Sequence, residues 1–397
     1  MTILCWILTG FAGLVTLVWL SRHLMIRRER RTGVVLTEDS PIDAAQLPPI
    51  DVIVAAKEEE DNIERCIRGL LAQDYPDFQL TVINDRSEDR TGEIIRSLAE
   101  GDDRIRVIEI EDLPDGWMGK NHAVHVASQQ TSRPWMLMTD ADCVFESSRA
   151  MAIAISHARR VEADLLSVLP RLVTRSFWEH VIQPVCGGVM MIWFHPDKVN
   201  NPVKPNAYAN GAFILARREI YEQVGGHQAV RDEANEDMRL ALNVKRQGHR
   251  LRVVRNQGLY SVRMYTGLRQ IVNGWTRIFF GTFGTLRRLL ISLLAMLLVS
   301  LSPWILLPTA LAGWALAGGT CWAWASAVAG AALFTQMTVI WRFYGIVEVP
   351  RLLCVTYGLG SLMATGLLLR ATAKLRKGAK LVWRGTSYAT GAGRKSP

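Results

Sequence analysis

The six cysteines of this 397-residue chain, Cys5, Cys66, Cys143, Cys186, Cys321 and Cys354, are scattered. None stands at paired or metal-ligand spacing, so the sequence gives no disulfide framework and no zinc site. A glycine-rich phosphate-binding fingerprint is missing after the first apolar strand-like run, Asp51–Ala56, which counts against a dinucleotide-binding or P-loop domain. Between Leu289 and Ile340 there is no Lys, Arg, Asp or Glu at all. Such a run is long enough for two membrane-crossing helices, split near Ala317-Gly318-Gly319-Thr320. The apolar runs carry no buried charge of the kind that lines a transport path, so a transporter is disfavoured. Nor does a nucleic-acid-binding motif accompany the net charge of +9. Much of that charge lies in two clusters beside apolar stretches, which points to a membrane surface.

What is present divides the chain. Residues 1–21 form an uncharged apolar anchor, followed at once by Arg22, Arg27, Arg28, Arg30 and Arg31. A cleaved signal peptide has its positive charges in front, so this order implies an uncleaved helix. The positive-inside rule then places the following domain in the cytoplasm, at the inner membrane. Residues 22–49 read as a basic juxtamembrane linker, 50–260 as a globular domain, 261–288 as an amphipathic interfacial stretch, 289–370 as a membrane region and 371–397 as a basic tail. One N-terminal span and three C-terminal ones would leave that tail outside, against the same rule. A cytoplasmic tail requires one C-terminal run to be re-entrant or interfacial.

Within 50–260, strand-like runs at 51–56, 80–83, 105–108, 135–139 and 165–169 alternate with helical patterns, which predicts an α/β domain with a mostly parallel sheet. Asp61 with Glu64 reads as a capping box opening a helix whose apolar face is Ile63, Cys66, Ile67, Leu70 and Leu71. Asn210–Leu215 reads as a further strand, and Asn235-Glu236-Asp237 as the start of a helix with Leu240, Ala241 and Val244 on one side.

Ligands of open α/β sheets bind beyond the carboxyl ends of the strands. At those ends stand Glu59, Asp85, Asp140 with Asp142, and Glu236 with Asp237. Asp140-Ala141-Asp142 offers two hard oxygen ligands to Mg2+ or Mn2+, which can in turn hold a diphosphate. Each carboxylate has an ordinary structural reading; their joint placement favours a site. The histidines His122, His125, His180, His195, His227 and His249 do not cluster at ligand spacing and read as structural or surface residues. Trp314, Trp322 and Trp324 read as interfacial anchors.

The arrangement resembles the membrane-bound family 2 glycosyltransferases, which have the GT-A fold. The resemblance runs from the first strand to about Arg277 and is carried by AAKEEEDNIERCIRGLLAQDYP, VINDRSEDRT, TDADC and NEDMRLALNVKRQGHR. LPDGWMGKNHAV, RSFWE, RMYTGLRQIVNGWTR and the tail VWRGTSY look most like the lipid-modifying branch, closest to HpnB-type hopanoid-associated enzymes and carotenoid glycosyltransferases. Asn84 stands where a first Asp is usual, Ala55 and Glu58 replace a common Pro and Asn, and the Gln-x-x-Arg-Trp motif of processive synthases is not intact around Gln270, Trp275 and Arg277.

The resemblance implies a GT-A domain with N- and C-terminal transmembrane helices. It implies inverting, metal-dependent transfer of a sugar from a nucleotide-sugar, of UDP type, to a membrane-lipid hydroxyl. Glu59, Asp85, Lys120, Asp140, Trp275 and Arg277 would hold the donor; Asp142 and Asp140 would ligate Mg2+ or Mn2+. Asp237 would be the catalytic base, with Glu236 as the fallback. Two rivals stay open: transfer to a polyprenyl phosphate, and a degenerate transferase fold kept as a membrane-bound scaffold.

Overall fold

Strands that are apolar along their whole length must be covered on both faces, and the chain meets this with helices on either side of one eight-stranded sheet. The computed structural model describes residues 2–376, 381–383 and 386–388. In chain order the strands are β1 (Val35–Leu36), β2 (Ile50–Ala56), β3 (Phe78–Asp85), β4 (Ile105–Ile110), β5 (Trp135–Asp140), β6 (Cys143–Phe145), β7 (Leu165–Leu169), β8 (Arg171–Leu172), β9 (Ile214–Arg217), β10 (Leu251–Asn256) and β11 (Tyr260–Val262). The main sheet runs β1-β10-β7-β9-β5-β2-β3-β4, and β6, β11 and β8 form a small second sheet. Every pairing in the main sheet is parallel except those of β9 with β5 and β7. This is the mostly parallel α/β architecture expected.

Alternation along each strand separates two cores. Ile53, Ile83, Met136 and Met138 face one side. Val52, Val54, Leu80, Val82 and Leu137 face the other. The first side is covered by α4 (Gly119–Gln129), α6 (Phe177–Trp193), α9 (Glu236–Arg246) and α10 (Leu268–Phe283); α2 (Ile63–Leu71), α3 (Thr91–Glu100) and α5 (Ala150–Arg160) cover the second. Short helices α7 (Pro196–Val199) and α8 (Arg218–Gln223) complete the domain.

Among the described residues, four helices are long and apolar enough to cross a membrane. They are α1 (Thr2–Thr32); α11 (Leu286–Ala295) continued through a π-helical turn into α12 (Ser302–Ala317); α13 (Thr320–Ile346); and α14 (Tyr357–Arg376). The break between α12 and α13 falls at Gly318 and Gly319, both at positive φ, where the sequence places it.

Several expectations need correction. Asp61 does not cap α2: Asn62 occupies that position without a side-chain bond, and Glu64 pairs with Arg68 instead. The strand read at Asn210–Leu215 begins only at Ile214, because Asn210 folds back: its Oδ1 accepts from the Ala212 N–H and its carbonyl from the Phe213 N–H. The stretch 22–49 is not a free linker. α1 continues to Thr32, and β1 then adds itself to the sheet beside β10. Cys5 and Cys321 form a disulfide, a long-range pairing that spacing alone could not reveal. Trp322 is buried rather than interfacial, its ring filling the space where a Cβ on Gly313 would stand, whereas Trp314 and Trp324 are exposed. Instead of lying free at an interface, α10 buries Ile271, Trp275, Thr276, Phe279 and Phe283 in the first core. In the tail, Lys377, Lys380 and Arg384 lie outside the described residues, while 381–383 pairs antiparallel with 386–388.

Candidate active site

The parallel register sets the site. β2 lies between β5 and β3, with Ala55 opposite Asp140 and Ala56 opposite Asn84. Asp140, Ala56 and Asp85 therefore end neighbouring strands at the same carboxyl edge. The loop after β2 is clasped to the loop after β3. The Glu59 N–H donates to Thr91 Oγ1 at 2.8 Å, the Glu88 N–H to Glu58 Oε1 at 2.9 Å, and the Arg90 N–H to Glu60 Oε2 at 3.2 Å. Glu58 sits at φ +54, left-handed space in which Asn is the easier residue.

The centre of the cluster is Lys120, in the first turn of α4. Its ammonium lies 2.6 Å from Asp140 Oδ1 and 2.8 Å from Glu236 Oε1. One lysine thus joins the carboxylates of β5 to those at the start of α9. It is an internal ion pair, not a solvated helix-start lysine, and the two carboxylates outweigh its burial so that its pKa is raised. Gly211 closes the floor. A Cβ there would stand 2.8 Å from Lys120 Nζ and 3.5 Å from Asp140 Oδ2. The Gly211 N–H donates to Asp237 Oδ2 at 3.0 Å, and the Met238 N–H to Asp237 Oδ1 at 2.7 Å.

Two of these acids are hard to ionise. Burial, then repulsion from Asp140 and Glu59, pushes Asp142 up to about 7 against the pull of Lys120. Burial, then Glu236, pushes Asp237 up to about 7, again opposed by Lys120 and by the two backbone donors. A raised carboxyl among carboxylates suits a divalent cation, and Asp140 and Asp142, with Glu59 near, are oxygen ligands of the type Mg2+ and Mn2+ take.

Asp85 is held by its neighbour Arg86, with Nε on Oδ1 at 2.8 Å and NH2 on Oδ2 at 3.1 Å. The adjoining wall was not anticipated. Trp117 stacks on His125 at 5.0 Å and meets His122 edge-on at 5.3 Å. Burial lowers the His122 pKa while Asp85 opposes that. An aromatic plane beside Asp85 is a surface on which a nucleobase can rest. Its signal was present in GWMGKNHAVH, where Trp117 and His125 share no simple spacing; only the turn into α4 brings the rings together.

Asn84 points away from the site. Its Nδ2 donates to Glu109 Oε2 at 2.6 Å, and Glu109 pairs with Arg96. Trp275 is buried with its ring 5.6 Å from Phe279, in the core rather than among the carboxylates. Arg277, half-buried, lies beside the Tyr265 hydroxyl; burial pushes that hydroxyl up to about 12 against the pull of Arg277, with Asp142 near enough to add to the rise.

A second polar group, Glu29, His195 and Asp197, lies where α1 meets the domain. It is already neutralised, since Arg255 pairs with Glu29 at 3.1 Å and Arg28 with Asp197 at 3.1 Å. His195 Nδ1 accepts from the Asp197 N–H, which leaves Nε2 as the protonated nitrogen facing Glu29 at 3.7 Å. It works as a clasp between helix and domain.

The profile of "Glycosyl transferase family 2" matches residues 51–225, and that of "Glycosyl transferase family group 2" matches residues 155–343. Among curated proteins, the chain is 25% identical over 202 residues to beta-monoglucosyldiacylglycerol synthase of Trichormus variabilis, covering 50% of this chain and 42% of that protein. It is 26% identical over 219 residues to probable glycosyltransferase YdaM of Bacillus subtilis, covering 52% and 49%. The chain thus spans less than half the length of these relatives. Among solved structures, the mannosyltransferase PcManGT of Pyrobaculum calidifontis, in complex with GDP-Man and Mn2+, superposes with a TM-score of 0.54 at 19% identity, covering 92% of this chain and 98% of that one.

Proposed function

We propose that the chain, which two family 2 glycosyltransferase profiles match over residues 51–225 and 155–343, transfers a sugar, with inversion, from a nucleotide-sugar to a hydroxyl of a membrane lipid. The observation that carries this reading is the joining of Asp140 and Glu236 through Lys120 at the edge that also bears Asp85 and Asp142. One chain thus presents donor-holding and acceptor-activating groups side by side.

The roles follow from chemistry. Asp85 and Glu59 face the nucleoside, where carboxylates accept from base N–H or ribose hydroxyls. Lys120 has a phosphate's natural countercharge and exchanges Asp140 for it when donor binds. Arg277 stands on the Asp142 side as a second cation. Asp140 and Asp142 would hold Mg2+ or Mn2+, which when bound neutralises the charge that builds on the leaving diphosphate. Asp237, held by two backbone N–H groups and poised near neutrality, takes the proton of the attacking hydroxyl. Trp275 supports α10 from within the core. Helices long and apolar enough to cross a membrane support a reaction at a membrane, and the positive-inside rule favours a domain on the cytoplasmic side of the inner membrane. The diacylglycerol-lipid relative is consistent with a lipid acceptor, and hopanoids and carotenoids are the acceptor classes to test alongside it.

The test is a donor screen. Purified protein in native lipid extract receives labelled UDP- and GDP-sugars with Mn2+ or Mg2+, and products are followed by mass spectrometry. A new glycolipid that disappears in Asp142→Asn, in Asp237→Asn and on chelation of the metal supports the reading. Full activity of Asp237→Asn would point to an already ionised acceptor such as a polyprenyl phosphate. Donor binding with neither transfer nor hydrolysis would sink it in favour of a scaffold.

A further inference from the structure

α14 is long enough to cross a bilayer, yet its packing belongs to the catalytic domain. α1 packs along α13, and α12 packs against both. α14 instead lies along α6, α10, α11 and the π-helical turn 296–301, and makes no extensive contact with α1, α12 or α13 among the described residues. Its buried residues Ala364, Leu367, Leu368 and Ala371 join the core that covers the sheet. Gly360 sits so tightly against α6 that a Cβ would meet the Val181 carbonyl.

The ends of α14 can be placed by depth. The Cys5–Cys321 disulfide marks the end of the bundle remote from the domain, and the Glu29–Arg255 pair marks the near end. The chain is already back at the domain after α13, where Glu348 pairs with Arg171 of β8 at 3.8 Å. α14 then starts with Tyr357, whose ring meets Trp19 at 5.9 Å and whose hydroxyl meets Ser300. Trp19 is 14 residues from Cys5, about 21 Å of helix, and only 10 from Glu29, about 15 Å. From that depth α14 runs back alongside α11 toward the domain. The exposed Leu352 and Val355 stand just before α14, the exposed Leu359 and Leu362 lie in its first half, and the exposed Arg370 and Lys374, with Leu369 beside Arg370, follow.

Resting on the membrane reading given above, we infer that α14 does not cross. It docks on the domain at the near leaflet, with its apolar half in the acyl boundary and Arg370 and Lys374 among anionic headgroups. The chain then crosses three times, and residue 376 lies on the same side as the active site. The disulfide end faces the opposite compartment, the oxidising one. Among the described residues, the same count places the basic cluster 22–31 on one side with Arg370 and Lys374, as the positive-inside rule requires.

The experiment is side-specific labelling of the full chain in oriented membrane vesicles with a membrane-impermeant maleimide. Its native free cysteines are buried. Three exposed reporters are used singly: Glu100→Cys in the domain, Leu316→Cys at the remote end and Ala373→Cys on α14. The expected result is labelling of Ala373→Cys from the same side as Glu100→Cys, with Leu316→Cys labelled only from the other. Ala373→Cys labelling together with Leu316→Cys overturns the docked helix and leaves the transferase reading intact. Release of the whole chain from membranes by alkaline carbonate overturns the membrane reading itself. A fluorophore on Leu362→Cys is expected to be quenched by lipids brominated on their acyl chains; no quenching would overturn the lipid-facing assignment.

Discussion

Arg263, just after β11, closes on the carboxylate of Glu179 at 2.9 Å, and Glu179 is completely buried in the first turn of α6. Glu179 also completes a capping box with Ser176. Burial would raise this carboxyl, but Arg263, Ser176 and the backbone N–H groups of Arg175 and Ser176 bring it down to about 2. The segments RSFWE and RMYTGLRQ are thus one structural unit that fixes α6 against the entry to α10. Arg263→Met leaves a buried charge unpaired and is expected to destabilise the fold by about 2–3 kcal/mol, discounted for the partly exposed guanidinium. Denaturant unfolding checks this. Because the folded pKa is depressed, the contribution of Glu179 is present above about pH 4.5 and is lost as pH falls toward 2; the wild-type advantage over Arg263→Met should shrink over that window.

Asp237 has the opposite sign. Its raised pKa of about 7 means that this carboxyl, the proposed base, is protonated in mild acid. The transfer kcat/KM is expected to fall about tenfold per pH unit below 7 and to level above it. In Asp237→Asn the acid limb should vanish along with most of the rate. A limb that persists in that variant would assign the titration elsewhere.

Gly211→Ala separates site geometry from folding. The added Cβ meets the end of a flexible lysine, 2.8 Å from Nζ, so the melting temperature should change little. Lys120 must leave its place between Asp140 and Glu236, and kcat/KM for the donor is expected to drop about tenfold or more. Unchanged kinetics would show that the position of Lys120 is immaterial.

Asn84→Asp installs the acid that the family resemblance suggests at this position and is expected to harm this chain. The new carboxylate would replace an amide that donates to Glu109 at 2.6 Å. A stability loss of about 1–2 kcal/mol, relieved by adding Glu109→Gln, is the expected double-mutant result.

These cases show what the sequence could convey. Strands β2, β3, β5 and β7 were readable because each carries an apolar run bounded by turns, and β4 because its apolar residues Ile105, Val107, Ile108 and Ile110 recur between the exposed Arg106 and Glu109. The carboxylates were readable because strand ends define the ligand edge of such sheets. Lys120 was ambiguous because its partners lie 20 and 116 residues further along the chain. The Cys5–Cys321 bond, separated by 316 residues, left no spacing to read. Asn84 reads as the lost first acid of a nucleotide-binding pair because the sequence does not tell that Glu109 stands beside it. The clasp at Glu29 was hidden in a run of arginines that reads only as a membrane-side cluster.

The join between α1 and β1 carries a mechanical consequence. Only Gly33 and Val34 separate the last helical residue from the first sheet residue, and a side chain on Gly33 would collide with Glu29. The helix is therefore a strut and not a leash. On the proposed membrane reading the domain would then be held at one fixed height above the lipid. Acceptors would be sorted by stature: a lipid whose hydroxyl stands at that height would meet Asp237, and one whose headgroup is too short or too tall would pass underneath or jam, whatever its chemistry.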